Sequence, residues 1–185
     1  MGVQADHEMM RELGELLAND RSDALRKEWA RRIAEKRNLM ELVGLLDAEH
    51  PVAMRFSWIF GDITDLNPEL IFDCLPYFFK RRNDFTFPGF ERSVARMLYF
   101  AGVPEELEGE VTDQLVEWVM DPQQAIGVKH HSLKVLIGLA KKYPELAQEV
   151  ILVMESQADM HTAAYQKRTR KWKAELERWV RKRSF

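Results

Sequence analysis

The sequence contains very little cysteine and no long hydrophobic run. Cys74 is the only cysteine among 185 residues, which excludes an internal disulfide framework and is typical of a protein from a reducing compartment. No apolar stretch approaches the roughly 20 residues that span a membrane, and the polar N-terminus lacks the apolar core of a signal peptide. We therefore expect a cytoplasmic protein that is not inserted in a membrane.

Glycine and proline are also scarce, and the short motifs of common enzyme sites are missing. The 9 Gly and 7 Pro fall mainly at the ends of apolar segments. The chain has no Gly-rich phosphate loop, no G-x-S-x-G nucleophile motif and no H-E-x-x-H zinc motif. His130 and His131 are adjacent, so on a helix their rings point about 100° apart and do not readily chelate one ion. We therefore predict no catalytic site, no metal site and no cofactor.

Positive charge is concentrated at the C-terminus of an otherwise acidic chain. The formal net charge is -3, but residues 167–185 carry nine Lys/Arg against two Glu. We predict a basic C-terminal helix over residues 160–185, whose apolar stripe includes Trp172, Leu176 and Trp179. Such a helix either seals the end of a helical stack, which we favour, or contacts nucleic-acid phosphates. The basic residues available for phosphate contact are Lys167, Arg168, Arg170, Lys171 and Lys173.

A period of 37 residues organises the middle of the chain. Three aspartates recur at this spacing: Asp47, Asp84 and Asp121. A basic residue follows each of them by 8 positions, namely Arg55, Arg92 and Lys129. Arg168 takes the same place in a fourth unit of slightly altered spacing. A fixed period of this length is the signature of stacked structural repeats.

Prolines mark the starts of helices within each unit, because the missing N–H of proline is not needed in the first turn. They form two alternating sets: Pro51, Pro88 and Pro122, and Pro68, Pro104 and Pro144. Between them apolar residues recur at helical spacing, and none of these segments shows the alternation of a strand.

The sequence predicts an all-α fold, an α-α superhelix of ten helices in five antiparallel hairpins. The predicted pairs are residues 6–18 with 22–36, 38–47 with 51–65, 68–82 with 88–102, 105–120 with 123–142, and 144–158 with 161–183. Residues 1–185 form one predicted solenoid domain, with residues 1–36 as an atypical N-terminal cap hairpin.

The segments around these prolines resemble a known family. Three of them look like HEAT repeats: Asn67-Pro68-Glu69-Leu70-Ile71, Val103-Pro104-Glu105-Glu106-Leu107 and Tyr143-Pro144-Glu145-Leu146. Over about residues 36–180 the chain resembles a family of small bacterial HEAT-like proteins that is most familiar from Bacteroidetes. The resemblance implies a solenoid of the HEAT or armadillo type.

Members of that family often carry the label of adenylosuccinate lyase. The lyase itself is similar to a much longer four-helix-bundle tetramer with a flexible, serine-rich catalytic loop. The serines of this chain are never adjacent, since they stand at Ser22, Ser57, Ser93, Ser132, Ser156 and Ser184. We therefore predict that the chain lacks lyase activity.

The periodic Asp and basic residues support two interpretations. The resemblance implies that residues in these places hydrogen-bond between neighbouring repeats and form a ladder, which the regular spacing favours. Alternatively, the basic residues line the concave face and bind an acidic ligand. The second helices of stacked hairpins form such a face, and its candidate residues are Arg55, Trp58, Arg92, Arg96, Lys129 and Ser132.

These patterns favour a non-enzymatic scaffold that binds an unknown protein or peptide on its inner face. The alternative is nucleic-acid binding through the basic inner-face residues and the C-terminal helix. An open end of the stack can stay free or pair with a second copy, so a monomer and a homodimer both remain open.

Overall fold

The computed structural model describes residues 2–85, 87, 89–157 and 159–183. It divides into two compact units, Met1–Pro104 and Glu105–Phe185, here called unit 1 and unit 2. Within the described residues every regular element is a helix, and no strand occurs. When each three-residue 3₁₀ turn is counted with the α-helix that follows it, these residues form ten helices. The predicted all-α class and the predicted number of helices are confirmed.

Unit 1 contains five α-helices and one longer 3₁₀ helix. In chain order they are α1 (Gly2–Asn19), α2 (Asp23–Lys36), the 3₁₀ helix Leu39–Asp47, α3 (Val52–Leu66), α4 (Pro68–Lys80) and α5 (Phe90–Ala101). The stretch predicted as a helix over 38–47 is thus a 3₁₀ helix. Asn67 caps α4, since its side chain accepts a hydrogen bond from the Leu70 amide at 3.1 Å. Such a cap stabilises a helix by about 1 kcal/mol.

Unit 2 contains four α-helices, two of which extend a short 3₁₀ turn. The 3₁₀ turn Glu105–Leu107 leads into α6 (Glu108–Met120), which is followed by α7 (Ile126–Lys142). The 3₁₀ turn Pro144–Leu146 leads into α8 (Ala147–Ser156), and α9 (Ala163–Arg181) completes the described helices. The Thr162 hydroxyl caps α9 by accepting from the Tyr165 amide at 3.3 Å.

Most of the helix starts that were predicted from prolines are found close to the predicted position, but the start predicted at Pro122 is wrong. Pro68 stands in the first turn of α4, and Pro51 directly precedes α3. Pro122 lies four residues before α7, inside a turn in which the Asp121 carboxylate accepts from the Gln123 amide at 2.8 Å. Proline also favours such turns, so proline alone does not distinguish the two settings. Pro88 lies outside the described residues.

The core of unit 1 is built around aromatic rings on α3 and α4. Phe56, Phe60 and Phe78 are all fully buried. The Phe56 and Phe60 ring centroids lie 5.2 Å apart, and those of Phe60 and Phe78 lie 4.7 Å apart. Each buried ring contributes roughly 1.5–3 kcal/mol relative to an exposed one. This packing fixes which face of α3 points to solvent.

In unit 2, α9 packs through one stripe of its surface. Tyr165, Thr169, Trp172 and Leu176 are buried at successive helical spacing. Of the predicted apolar stripe, Trp172 and Leu176 are therefore buried, whereas Trp179 is half-buried. The Trp172 ring lies 5.1 Å from the ring of His130 on α7. The opposite surface of α9 consequently faces water.

Candidate functional site

A hollow in unit 1 brings together side chains from three helices. It has a volume of about 510 Å³. Its lining comes from α2, α3 and the start of α5: Arg26, Trp58, Gly61, Asp62, Gly89, Arg92, Ser93 and Arg96. We call it the Trp58 hollow. Three of the six predicted inner-face residues meet there, namely Trp58, Arg92 and Arg96.

Trp58 faces outward because its neighbours on α3 face inward. Phe56 and Phe60 are fully buried, and a residue two positions from each points about 200° away from them around the helix. The Trp58 side chain is accordingly 37% exposed. Gly61, three residues further along α3, also lines the hollow, where a Cβ would lie in ordinary van der Waals contact with Arg96 Nε at 3.4 Å.

The three guanidinium groups of the hollow differ in their partners. Arg26 Nε donates to Asp62 Oδ2 at 2.5 Å, and Arg96 Nη2 donates to Asp65 Oδ1 at 2.7 Å. Arg92 is exposed and has no hydrogen-bond or ion-pair partner within the described part of the chain. Two of the three cations are therefore held and neutralised by aspartates, while Arg92 keeps its donors available.

The turn before α5 positions Arg92 beside the hollow. Gly89 has a φ of +96°, a left-handed conformation that glycine adopts without a steric penalty. The Ser93 hydroxyl donates to the Ser57 carbonyl at 3.3 Å and so ties the first turn of α5 to α3. Arg92 lies in this first turn, one residue before Ser93.

Arg55 has a structural role at the end of α1. Its side chain is half-buried, and its Nη1 donates to the carbonyl oxygens of Leu17 at 2.6 Å and Ala18 at 3.1 Å. The last carbonyls of a helix have no partner within the helix, so this guanidinium satisfies two of them. Arg55 thus joins α3 to the preceding helix pair and does not line the Trp58 hollow.

Lys129 and Ser132 are not surface residues, so their predicted place on an open inner face is wrong. Both are 0% exposed. Lys129 Nζ donates to Gln157 Oε1 at 3.1 Å, and burial lowers the pKa of this lysine. Ser132 stands among apolar residues of α7 at helical spacing, so the apolar pattern, rather than the 37-residue period, gives the correct signal for burial.

Two of the three periodic aspartates contact a residue that the period does not include. Asp47 Oδ1 and Asp84 Oδ2 both accept from Arg81, at 2.7 Å and 2.9 Å. These bonds, together with one to the Tyr77 hydroxyl, raise the pKa of Arg81. Asp121 accepts from a backbone amide within its own turn. Among the described residues the aspartates therefore do not hydrogen-bond to the periodic basic residues, and the predicted ladder is not a repeated Asp–basic pair.

The predicted basic patch on α9 is partly engaged in local contacts. Lys173 Nζ lies 3.0 Å from Glu155 and 2.9 Å from Glu177. Arg168 Nη1 lies 2.9 Å from His130 Nδ1, and burial together with this cation lowers the pKa of that histidine. The weaker contacts of the patch are Arg170 to Asp159 at 3.6 Å and Lys171 to Glu175 at 3.9 Å. Lys167 is exposed and has no partner among the described residues.

The described parts of the chain contain neither a cluster of metal ligands nor a helix that could span a membrane. No group of three or more His, Cys, Asp or Glu lies close enough together there to hold a metal ion. None of the described helices combines the length and the apolar character that crossing a membrane requires. Cys74 is 2% exposed, and burial raises the pKa of its thiol to about 11.

Comparison with known proteins identifies the repeat. The sequence profile of the HEAT repeat domain matches residues 7–172, which is most of the chain. No curated protein and no solved structure matches the chain.

Proposed function

We propose that this chain, which belongs to the HEAT repeat domain family, is a scaffold that binds an acidic segment of a partner protein in the Trp58 hollow. Repeat proteins of this family are typically non-enzymatic scaffolds that mediate interactions. The observation that carries the proposal is the exposed Arg92 guanidinium, which has no ion partner among the described residues, beside the half-exposed Trp58. Trp and Arg are the residue types that most often dominate binding energy at protein interfaces.

The chemistry of the hollow favours a carboxylate next to an apolar side chain. The planar Arg92 guanidinium offers several donors in a geometry that matches a carboxylate. The Trp58 ring offers a flat apolar surface for the neighbouring side chain of the ligand. A volume of about 510 Å³ falls within the usual range of ligand pockets. These features support a short acidic segment of a protein as the ligand.

The aspartates make the hollow a rigid site rather than a strongly cationic one. Arg26 and Arg96 are each anchored by a carboxylate, so little side-chain freedom is lost there when a ligand binds. The same pairing neutralises both cations, so a series of phosphate contacts is not available in this hollow. Nucleic-acid binding, the alternative function, is therefore better supported by α9 than by the inner-face residues.

A peptide selection tests the proposal. The full chain is immobilised and used to select from a library of random peptides displayed on phage. We expect enrichment of sequences that carry Asp or Glu beside an apolar or aromatic residue. Charge-assisted hydrogen bonds contribute about 1.5–3 kcal/mol, so Arg92→Gln should weaken binding of the enriched peptides by at least about tenfold, and so should Trp58→Ala.

Lys80→Gln provides the matched control, because Lys80 is exposed and has no partner among the described residues. This variant removes one positive charge from unit 1, as Arg92→Gln does, but outside the hollow. Its affinity for the selected peptides should equal that of the wild type. Peptides without acidic residues, or peptides that bind Arg92→Gln as tightly as the wild type, would overturn the proposal.

A further inference from the structure

The outer face of α9 carries a line of cations along its length. Lys167, Lys171, Arg178 and Arg181 occur at i, i+4, i+11 and i+14, which places them within one narrow band of the helix surface. All four are exposed. We call this band the cationic stripe. It lies opposite the buried stripe of Tyr165, Thr169, Trp172 and Leu176.

Few carboxylates of unit 2 neutralise the stripe. Lys171 lies 3.9 Å from Glu175, at the limit of an ion pair. Lys167, Arg178 and Arg181 have no acidic partner among the described residues. Glu155 and Glu177 both contact Lys173, which lies outside the stripe. The stripe therefore retains most of its positive charge.

The helix dipole explains the positions of only two of the four cations in the stripe. Cations in the last turn of a helix are favourable because they face its negative end, which accounts for Arg178 and Arg181. The effect fades within one turn, and Lys167 and Lys171 lie ten or more residues before the last residue of α9. Their alignment with the other two cations requires a different explanation.

We propose that the cationic stripe binds the phosphate backbone of double-stranded DNA without sequence preference. From Lys167 to Arg181 the stripe extends over about 21 Å at the rise of an α-helix. A duplex presents about a dozen phosphates over that distance, so phosphates outnumber the four cations along the length of the stripe. Contacts of this kind fix the position of a protein on DNA and read no bases.

The packing of α9 argues against a membrane as the partner. A helix that lies in a membrane surface inserts a free apolar face between the lipids. Most of the apolar face of α9 is already packed within unit 2, since Trp172 is 8% and Leu176 is 0% exposed and Trp179 is half-buried. The stripe also includes no aromatic residue on which unpaired bases could stack, as they do in single-strand binders. Both observations favour a duplex, and the proposal is independent of the peptide site in unit 1.

Fluorescence anisotropy with a labelled random duplex of about 20 base pairs tests the proposal on the full chain. Affinity should fall with salt, and four phosphate contacts correspond to a slope of about -3.6 in log K against log salt concentration. The stripe variant Lys167→Gln/Lys171→Gln/Arg178→Gln/Arg181→Gln should bind at least about tenfold more weakly at low salt, with a correspondingly shallow slope.

A second quadruple variant controls for net charge. Arg21→Gln/Lys27→Gln/Lys80→Gln/Lys141→Gln removes four exposed cations outside α9 and should bind the duplex like the wild type. Circular dichroism and thermal melting confirm that both variants remain folded. The proposal is overturned if the wild type does not bind the duplex at low salt or if the control variant loses as much affinity as the stripe variant. Tighter binding to phosphatidylserine vesicles or to a single-stranded 20-mer than to the duplex would overturn it as well.

Discussion

The buried Lys129 of unit 2 is a place where a charged group opposes folding. Its side chain is 0% exposed, and that of its partner Gln157 is 1% exposed. Among the described residues the ammonium group makes one hydrogen bond, of 3.1 Å to Gln157 Oε1, although it has three donors. We predict that the double variant Lys129→Met/Gln157→Leu is more stable than the wild type at pH 7.

The expected magnitude follows from desolvation and hydrogen bonding. Replacing buried ionic groups by apolar side chains of similar volume is often neutral or stabilising by about 1–4 kcal/mol, and methionine keeps the length of lysine. Gln157 is replaced as well because its oxygen would otherwise lose its donor, at a loss of about 1–3 kcal/mol. We expect the double variant to gain about 1–3 kcal/mol, and Lys129→Met alone to gain less.

The pH dependence of the free energy of unfolding is a second, independent test of the cost of burying Lys129. Burial lowers the pKa of Lys129 below 10.5, although the Asp121 carboxylate opposes this shift. Between the lowered pKa and 10.5 the unfolded chain binds more protons, so the stability of the wild type rises with pH by at most about 1.4 kcal/mol per unit. The advantage of the double variant should therefore be complete below the folded-state pKa and should shrink as pH approaches 10.5.

Urea denaturation followed by circular dichroism at pH 7 and pH 10 measures both quantities. The other titrating groups are common to the two proteins, so the difference between their free energies of unfolding isolates Lys129. Lys141→Met, an exposed position on the same helix, should change stability by less than about 0.5 kcal/mol. A double variant that is less stable than the wild type at pH 7, or a difference that is equal at the two pH values, would refute the reasoning.

Three further predictions concern single side chains. Arg55→Met removes the bonds to the carbonyls of Leu17 and Ala18 and should lower the free energy of unfolding by about 1–2 kcal/mol; an unchanged urea midpoint would contradict the role of Arg55. Asn67→Ala removes the cap of α4 and should lower it by about 1 kcal/mol, whereas Asn67→Asp should keep most of that stability. Cys74, with a thiol pKa of about 11, should react with thiol reagents at pH 8 only after unfolding, and rapid labelling of the folded chain would exclude that protection.

The helix map could be predicted because its signals are local. Apolar spacing and proline report on a few neighbouring residues, and the helix predicted over 51–65 is found at Val52–Leu66. The helix predicted over 38–47 is found as the 3₁₀ helix Leu39–Asp47, since the spacing of a short apolar run does not distinguish the two helix types. The start predicted near Pro122 is wrong because the turn before Ile126 depends on an Asp121 side-chain hydrogen bond.

The Trp58 hollow could be predicted only in part. Trp58, Arg92 and Arg96 stand on predicted second helices, so the repeat places them on a common side. The ion pair of Arg26 with Asp62 was not predicted, because the two residues are 36 positions apart and no sequence pattern links one cation to one distant carboxylate. The outward direction of Trp58, by contrast, could have been derived from Phe56 and Phe60, whose spacing predicts burial on the opposite side of the helix.

Arg55, Arg92 and Lys129 stand at the same position of the 37-residue period, but the three side chains have different surroundings. This difference decides which of them can bind a ligand. Arg55 meets the unsatisfied carbonyls at the end of α1, which hold it in a structural role. Lys129 is enclosed with Gln157, so it has no access to a partner molecule. Arg92 follows a glycine turn, and the cations beside it are already neutralised. The period determines the position of a basic residue on its helix. The end of the neighbouring helix determines which atoms that basic residue contacts. A binding site in such a repeat is therefore expected where a periodic residue lacks the structural partner that its counterparts have, as Arg92 does among the described residues.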